Sequence, residues 1–433
     1  MHNIEESLAS HPFIATLKDL RGNVRGCVYT EPLWAIPYNL YAPFATVYMV
    51  ALGLSDSQVG MVASVGLAFQ VFWTLMSGAI TDKLGRKRTT FIFDLISWSV
   101  PCLIWAVAQD MTYFLAAAIV NSIWRVTANS WQCLLVEDTD PRLLVDVYSL
   151  IYIAGLITAF VAPLTSPLIE RFDLVPTLRA LYLLSFVMMT AKFVIMNAMV
   201  VETRQGLVRM RETRDQPLFA VLRGSSAVLR QILRTPATLF TAALMVMLSI
   251  CWLIKGTFWP ILVTEQLLIP PQYLVVFTVA RSLVMLLFYF LLMPRLRHTD
   301  VRKPLIWGFL GLFASQVLLV TVPVQGYLLL MAATLLEAFS TPAVATLVDK
   351  LAVIAVHAGE RARIMALLSV LVLVYTTPFG WIAGQLSEIN RSLPFLLNIA
   401  LFGACAILMV LAGWLVKGGF ELNPPEQEPT QAG

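Results

Sequence analysis

The chain has 433 residues, of which 58% are hydrophobic and 13% charged, with a formal net charge of +4. Soluble domains are about half apolar and a quarter charged, so this composition excludes an ordinary soluble fold, and the small positive balance gives no case for a nucleic-acid partner. The apolar excess lies in long runs with no sustained period-2 alternation, which excludes an outer-membrane barrel and reads as an all-α polytopic membrane protein.

Residues 1–31 open with acids and have no apolar core, so they read as a cytoplasmic N-terminal segment rather than a cleaved signal. A helix needs about 20 residues to cross the hydrocarbon. Twelve such segments are expected, near 32–54, 58–81, 90–108, 112–136, 144–168, 176–201, 237–263, 272–294, 304–323, 325–349, 364–387 and 393–417. Pro32, Pro271 and Pro304 stand near segment starts, where a missing N–H costs little. With the N-terminus inside, 23 of the 30 Lys and Arg fall on the cytoplasmic side, which predicts both termini inside an inner (cytoplasmic) membrane.

Residues 202–236, with seven arginines, are the longest polar connection and divide the chain into halves at 32–201 and 237–417. Within them PLFAVLRGSSAVLRQILR reads either as an interfacial helix on membrane lipid or as a solvated linker. The tail, 418–433, reads as a disordered cytoplasmic end. Weak internal repetition links Ala162–Phe172 to Thr377–Ile389 and Leu134–Asp138 to Ala345–Asp349. The five cysteines stand singly and read as small buried residues, and the four histidines (His2, His11, His298, His357) are isolated.

At the end of the second segment, GAITDKLGRKR places Gly78, Asp82, Lys83, Gly85, Arg86 and Lys87 in the order Gly, three residues, Asp, basic, one residue, Gly, Arg, basic. This resembles the signature loop between helices 2 and 3 of the major facilitator superfamily, and the resemblance runs closest to 12-helix drug/proton antiporter-like members. It implies two pseudo-symmetric six-helix bundles and a role for the loop in holding the cytoplasmic side closed. Gly78 is expected to allow close approach of a helix, Gly85 to permit a left-handed turn, and Glu137 and Asp138 to supply acids for Arg86. The second copy, MPRLRHTDVRKP (residues 293–304), keeps its charge and loses its glycines. Thr158, Ala162, Pro163, Ser166 and Pro167 align with the antiporter signature of the fifth helix, with no glycine retained.

Ionisable residues inside the bilayer are costly and functional by default. Segment four carries Asn121, Arg125, Asn129 and Gln132 on one stripe, and Arg125 stands where relatives often carry a buried arginine tied to proton transfer or substrate. Glu337 in segment ten falls opposite Arg125 in the internal repeat. It reads as a proton-coupling site or as a structural ion pair with Arg125 or Arg281. Trp252, Lys255 and Trp259 share one face of segment seven, and Tyr273, Phe277 and Arg281 one face of segment eight. Tyr38, Tyr41 and Tyr48 share a face of segment one beside Asn39. The family architecture implies that these helices line or flank a central cavity, making Tyr38, Asn39, Tyr41, Arg125, Asn129, Trp252, Lys255, Arg281 and Glu337 substrate-binding candidates. Lys255 and Lys192 are alternatively read as snorkelling, and Asp94 as part of the gate network.

The chain is therefore expected to be a monomeric secondary transporter of a small-molecule substrate, working by alternating access, with protons as the coupling ion. The first reading is export of small amphipathic compounds, and the second a carrier for a small anionic or polar metabolite. An intramembrane enzyme or a transporter-like receptor are the readings from another class. No nucleotide-binding GxxxxGK[ST] pattern, no metal cluster and no HxxxD or HExxH is present in the sequence, so no cofactor is called for.

Overall fold

The computed structural model describes residues 20–140, 143–215, 217, 236–293, 301–354 and 361–415. The amphipathic stretch of the linker, the isolated histidines and the C-terminal tail lie outside them. Every regular element among the described residues is helical.

Among the described residues, ten helices are long and apolar enough to cross a membrane. Two further crossings are interrupted. The first combines α1 (Gly22–Thr30), α2 (Pro32–Tyr41) and α3 (Ala45–Ala51), with a 3-10 turn at Ala42–Phe44. Proline removes a backbone donor and bends a helix, and Pro37 and Pro43 fall on this run. The helix thus begins about ten residues before the segment expected at 32, and Glu31 lies within it. The fourth crossing combines α7 (Met111–Asn121) and α8 (Trp124–Val136), separated by a turn at Ser122 and Ile123. Asp110 caps α7 by accepting from Thr112 N at 2.8 Å, and the hydrogen bonds from Thr112 hold its carboxyl below the usual carboxylate range.

The remaining crossings follow in order. The second is α4 (Asp56–Leu84), opened by a capping box between Ser55 and Gln58. The third joins α5 (Arg86–Asp94) to α6 (Val100–Ala106) through a π-turn at Leu95–Ser99. The fifth joins α9 (Leu144–Thr158) to α10 (Ser166–Phe172) through a 3-10 stretch at Ala159–Thr165 that contains Pro163. The degraded antiporter-like motif therefore does mark a distortion in that helix. The sixth is α11 (Leu174–Met199), and a short α12 (Arg204–Glu212) begins the linker. The second half consists of α13 (Pro236–Ile261), α14 (Leu274–Leu291), α15 (Arg302–Val320), α16 (Tyr327–Ile354), α17 (Arg361–Ile389) and α18 (Leu393–Leu415).

The most extensive seam in the molecule joins the halves through α4 and α17. It is built on glycine: a Cβ at Gly60 would press on the Gly380 carbonyl and stand 2.9 Å from Gly384 Cα. Helix backbones meet this closely only where side chains are absent. Polar bonds fasten the same end. Ser64 Oγ donates to Thr377 O at 2.6 Å, Asp56 accepts from Ser387 at 2.6 Å and from Arg391 at 3.1 Å, and Gln385 bonds Ser57. A second seam runs between the fifth crossing and α14, where Ser166 Oγ donates to Gln272 O at 2.8 Å. Both seams lie toward the face opposite the signature loop, so the halves are closed together at that face. Four of the five cysteines are buried and all are free.

Candidate functional site

The signature loop forms a buried charge network. Gly85 has φ +85°, a conformation that L side chains rarely adopt, as its position in the motif predicts. Arg86 is 4% exposed. Its guanidinium meets Glu137 at 2.9 Å and Asp82 at 3.0 Å. Asp82 also accepts from Arg209 of the linker helix at 2.8 Å, and these hydrogen bonds raise the Arg209 pKa. The Glu202 carboxylate accepts from the backbone N–H groups of Arg86 (2.8 Å) and Lys87 (3.0 Å), satisfying the open N-terminus of α5. Sequence reasoning identified Arg86, Asp82 and Glu137 but missed Glu202 and Arg209. The only signal for these was a carboxylate and a basic run directly after an apolar segment.

One expectation about this loop is corrected. Asp138 is exposed and accepts from Arg204 N at 3.4 Å instead of meeting Arg86, because the turn after α8 points it outward. Among the described residues nothing lies within 4 Å of a Cβ added at Gly78 in this conformation. The bonds of Asp82, Arg86 and Lys87 remain within the first half and the linker, so in this conformation they do not tie the halves together.

A cavity of about 440 Å³ lies midway along the bundle, lined among others by Tyr38, Asn39, Trp252, Lys255, Trp259 and Arg281. Helical spacing aims these side chains inward from the first crossing, α13 and α14. Asn39 is held by Ala35 O at 2.8 Å and Thr158 Oγ1 at 3.1 Å. Trp259 packs edge-on against Phe277, ring centroids 6.0 Å apart. Lys255 is ion-paired with Glu337, and their side chains are 11% and 7% exposed. Thr334 and Thr341, one turn either side of Glu337, line the cavity. Glu337 therefore pairs with Lys255, and neither Arg125 nor Arg281 is its partner. Lys255 does not snorkel. Arg281 forms no ion pair among the described residues, and its Nε is buried without an acceptor. The cavity wall thus holds one cation neutralised by Glu337 and a second with no counter-ion.

The other candidates lie elsewhere. Arg125 Nε donates to Gln70 Oε1 at 2.9 Å, and its guanidinium sits 4.2 Å from the Trp124 ring. Asn129 donates to Thr81 at 3.3 Å, so it faces α4. Asn121 donates to Ser97 O and Gln132 to the Tyr148 hydroxyl, so the polar stripe of segment four is spread over three neighbouring crossings. Tyr41 is 4% exposed and packs on Tyr182 and Trp105, and it does not line the cavity. Tyr48 is buried and donates to Trp105 O at 2.9 Å. Lys192 is 5% exposed and pairs with Glu31 at 2.8 Å. Asp94 faces that pair across a second pocket, away from the gate network. Both residues were misread because helix phase alone does not reveal which neighbour a face meets.

No group of His, Cys, Asp and Glu among the described residues is arranged to hold a metal. A twelve-crossing bundle joined about a midplane cavity is the architecture of a secondary transporter. The sequence profile of the Major Facilitator Superfamily matches residues 35–255, just over half of the chain, and the chain belongs to that family. Among curated proteins it is similar to the nitrate/nitrite transporter NrtP of Picosynechococcus sp., at 32% identity over 83 residues. That match spans 19% of this chain and 15% of the relative.

Several solved structures share the fold at low identity. The nucleoside transporter NupG aligns with TM-score 0.68 at 14% identity, covering 92% of this chain and 100% of that one. A POT family transporter in complex with 5-aminolevulinic acid aligns with TM-score 0.69 at 12% identity, covering 90% and 95%. The human organic anion transporter TETRAN aligns with TM-score 0.61 at 14% identity, covering 89% and 98%. The protein is a multi-pass membrane transporter of a solute.

Proposed function

We propose that this transporter carries a small organic anion by alternating access about the Lys255–Arg281 cavity. The observation that carries this reading is Arg281, whose Nε is buried without an acceptor on a wall where the one nearby carboxylate, Glu337, is already paired with Lys255. An uncompensated guanidinium in low dielectric favours a carboxylate or similar anion, which it can bind through two parallel hydrogen bonds. A relative named as a nitrate/nitrite transporter and a fold neighbour named as an organic anion transporter agree in sign of charge. Export of amphipathic cations draws no support from this cavity, whose excess charge is positive.

Glu337 is the proposed proton-coupling group. An incoming anion competes with it for Lys255, and protonation of Glu337 releases the lysine to the substrate. Arg125, held by Gln70 away from the cavity wall, is the candidate coupling cation of the first half. The charge network of Asp82, Lys83, Arg86, Lys87 and Glu137 is proposed to serve the face that opens and closes opposite the α4–α17 seam. On this view the bare surface of Gly78 receives a helix of the second half when that face shuts. The bias of Lys and Arg toward these loops supports a cytoplasmic position for this face in an inner membrane.

Proteoliposomes on a solid-supported membrane test the reading. Concentration jumps of acetate, lactate, benzoate, succinate and nitrate are applied. A saturable transient current with at least one of them, lost in Arg281→Gln, is expected. Glu337→Gln should still bind the anion but no longer respond to an imposed pH gradient. Currents that persist in Arg281→Gln contradict the anion site, and a full pH response in Glu337→Gln contradicts the coupling role.

A further inference from the structure

A second pocket, of about 370 Å³, lies within the first half and carries the opposite sign of charge. Its walls include Trp34, Trp98, Trp124 and Trp131, together with Glu31, Asp94 and Lys192. Trp34 stacks on Tyr38 with centroids 4.8 Å apart and meets Trp98 edge-on at 5.0 Å. Tyr38 also lines the central cavity, so one side chain belongs to both walls.

The charged side chains that line it do not balance, although Arg125 stands behind the wall, 4.2 Å from the Trp124 ring. Lys192 Nζ is bonded to Glu31 at 2.8 Å and lies 5.7 Å from the Trp34 ring. Asp94 is 6% exposed and forms no ion pair among the described residues. Two carboxylates thus share one ammonium: Lys192 bonds Glu31 and acts on Asp94 only at longer range, and Thr127 is the hydrogen-bond partner of Asp94 in this aromatic enclosure. A desolvated carboxylate is stabilised by an incoming cation, and indole faces attract cations as well. Lys192 already uses that second attraction. Asp94 is also followed directly by the π-turn Leu95–Ser99, a backbone form that recurs at functional sites.

We propose that this tryptophan-walled pocket is a binding site for a small organic cation, a protonated amine or quaternary ammonium, held by Asp94 and the indole faces. The site is separate from the proposed anion cavity and does not depend on it. Glu31 and Lys192 are positioning residues: their pair keeps a second carboxylate neutralised, so that the pocket accepts a single positive charge. The aromatic walls exclude strongly hydrated ions, which lose more hydration than the indoles return, and select alkylated ammonium groups over sodium or potassium.

Isothermal titration of the purified full-length protein in detergent with tetraethylammonium chloride, against sodium chloride at the same ionic strength, tests this. The wild type should bind tetraethylammonium saturably with micromolar to millimolar affinity. Asp94→Asn should weaken binding by at least about tenfold, equivalent to about 1.4 kcal/mol. Lys192→Gln should tighten it several-fold, because removing the internal cation leaves Glu31 free to attract the external one. Gain of affinity cannot arise from a variant that folds poorly, so the second variant keeps the test decisive. No saturable binding by the wild type overturns the proposal, as does unchanged affinity in Asp94→Asn or weakened affinity in a folded Lys192→Gln.

Discussion

Arg86 shows how a single residue organises the signature loop. It is buried and makes charge-assisted bonds to Glu137 and Asp82, while its backbone N–H is held by Glu202. Removing one partner from a buried ion pair leaves the other charge uncompensated, at a cost of about 3–5 kcal/mol. Asp82 remains to compensate part of the Arg86 charge, so Glu137→Ala should lower stability by about 2–4 kcal/mol, read as a fall in unfolding midpoint in detergent. A shift no larger than that of a surface Glu→Ala substitution contradicts the network. The Arg86–Glu137 contact was legible in the sequence because motif spacing and helix ends put both at one membrane edge. The Lys255–Glu337 pair was not. Each was visible as an intramembrane charge, but partner choice depends on the rotation of α13 against α16, which helical periodicity does not encode. The glycine at Gly78 permits close approach without stating when a neighbour arrives.

At the scale of elements, α4 and α17 carry the closure of the molecule. Gly60, Gly380 and Gly384 bring the two backbones together, and Ser57, Ser64, Asp56 and Arg391 fasten their ends. Any side chain at Gly60 must displace the Gly380 carbonyl. Gly60→Ala should therefore open this face and raise the population of the opposite conformation. With cysteines at Ser57 and Gln385, cross-linking yield should fall several-fold when the alanine is added, and an unchanged yield contradicts the closed seam. The sequence displayed twelve crossings, of which ten are long apolar helices among the described residues and the first and fourth are interrupted. Pro163 stood out in the fifth-crossing motif, whereas the interruption of the first crossing at Pro37 and Pro43 was not read from the sequence. The turn at Ser122 and Ile123 had no such signal, since neither residue is a proline or glycine. The start of the first helix at Gly22 was hidden because residues 22–31 are polar and their partners on α11 lie far away in sequence.

On the scale of the whole molecule, two pockets of opposite charge lie on either side of Tyr38, and the seams close the face away from the signature loop. The family and the twelve-crossing plan were legible because the signature motif and the hydrophobic runs are local. The sign of charge in the cavity was only half legible, since counting Arg125, Lys255 and Arg281 against Glu337 gives an excess of cations without saying which of them face the cavity. If Arg281 makes this cavity an anion site, thermal unfolding of the purified protein with a ligand panel will report it. A ligand at a hundredfold excess over its Kd stabilises the folded state by about 2.7 kcal/mol. At least one small organic anion should raise the unfolding temperature of the wild type and leave Arg281→Gln unmoved. Anion stabilisation that survives Arg281→Gln, or a panel in which no anion stabilises the wild type, contradicts the account.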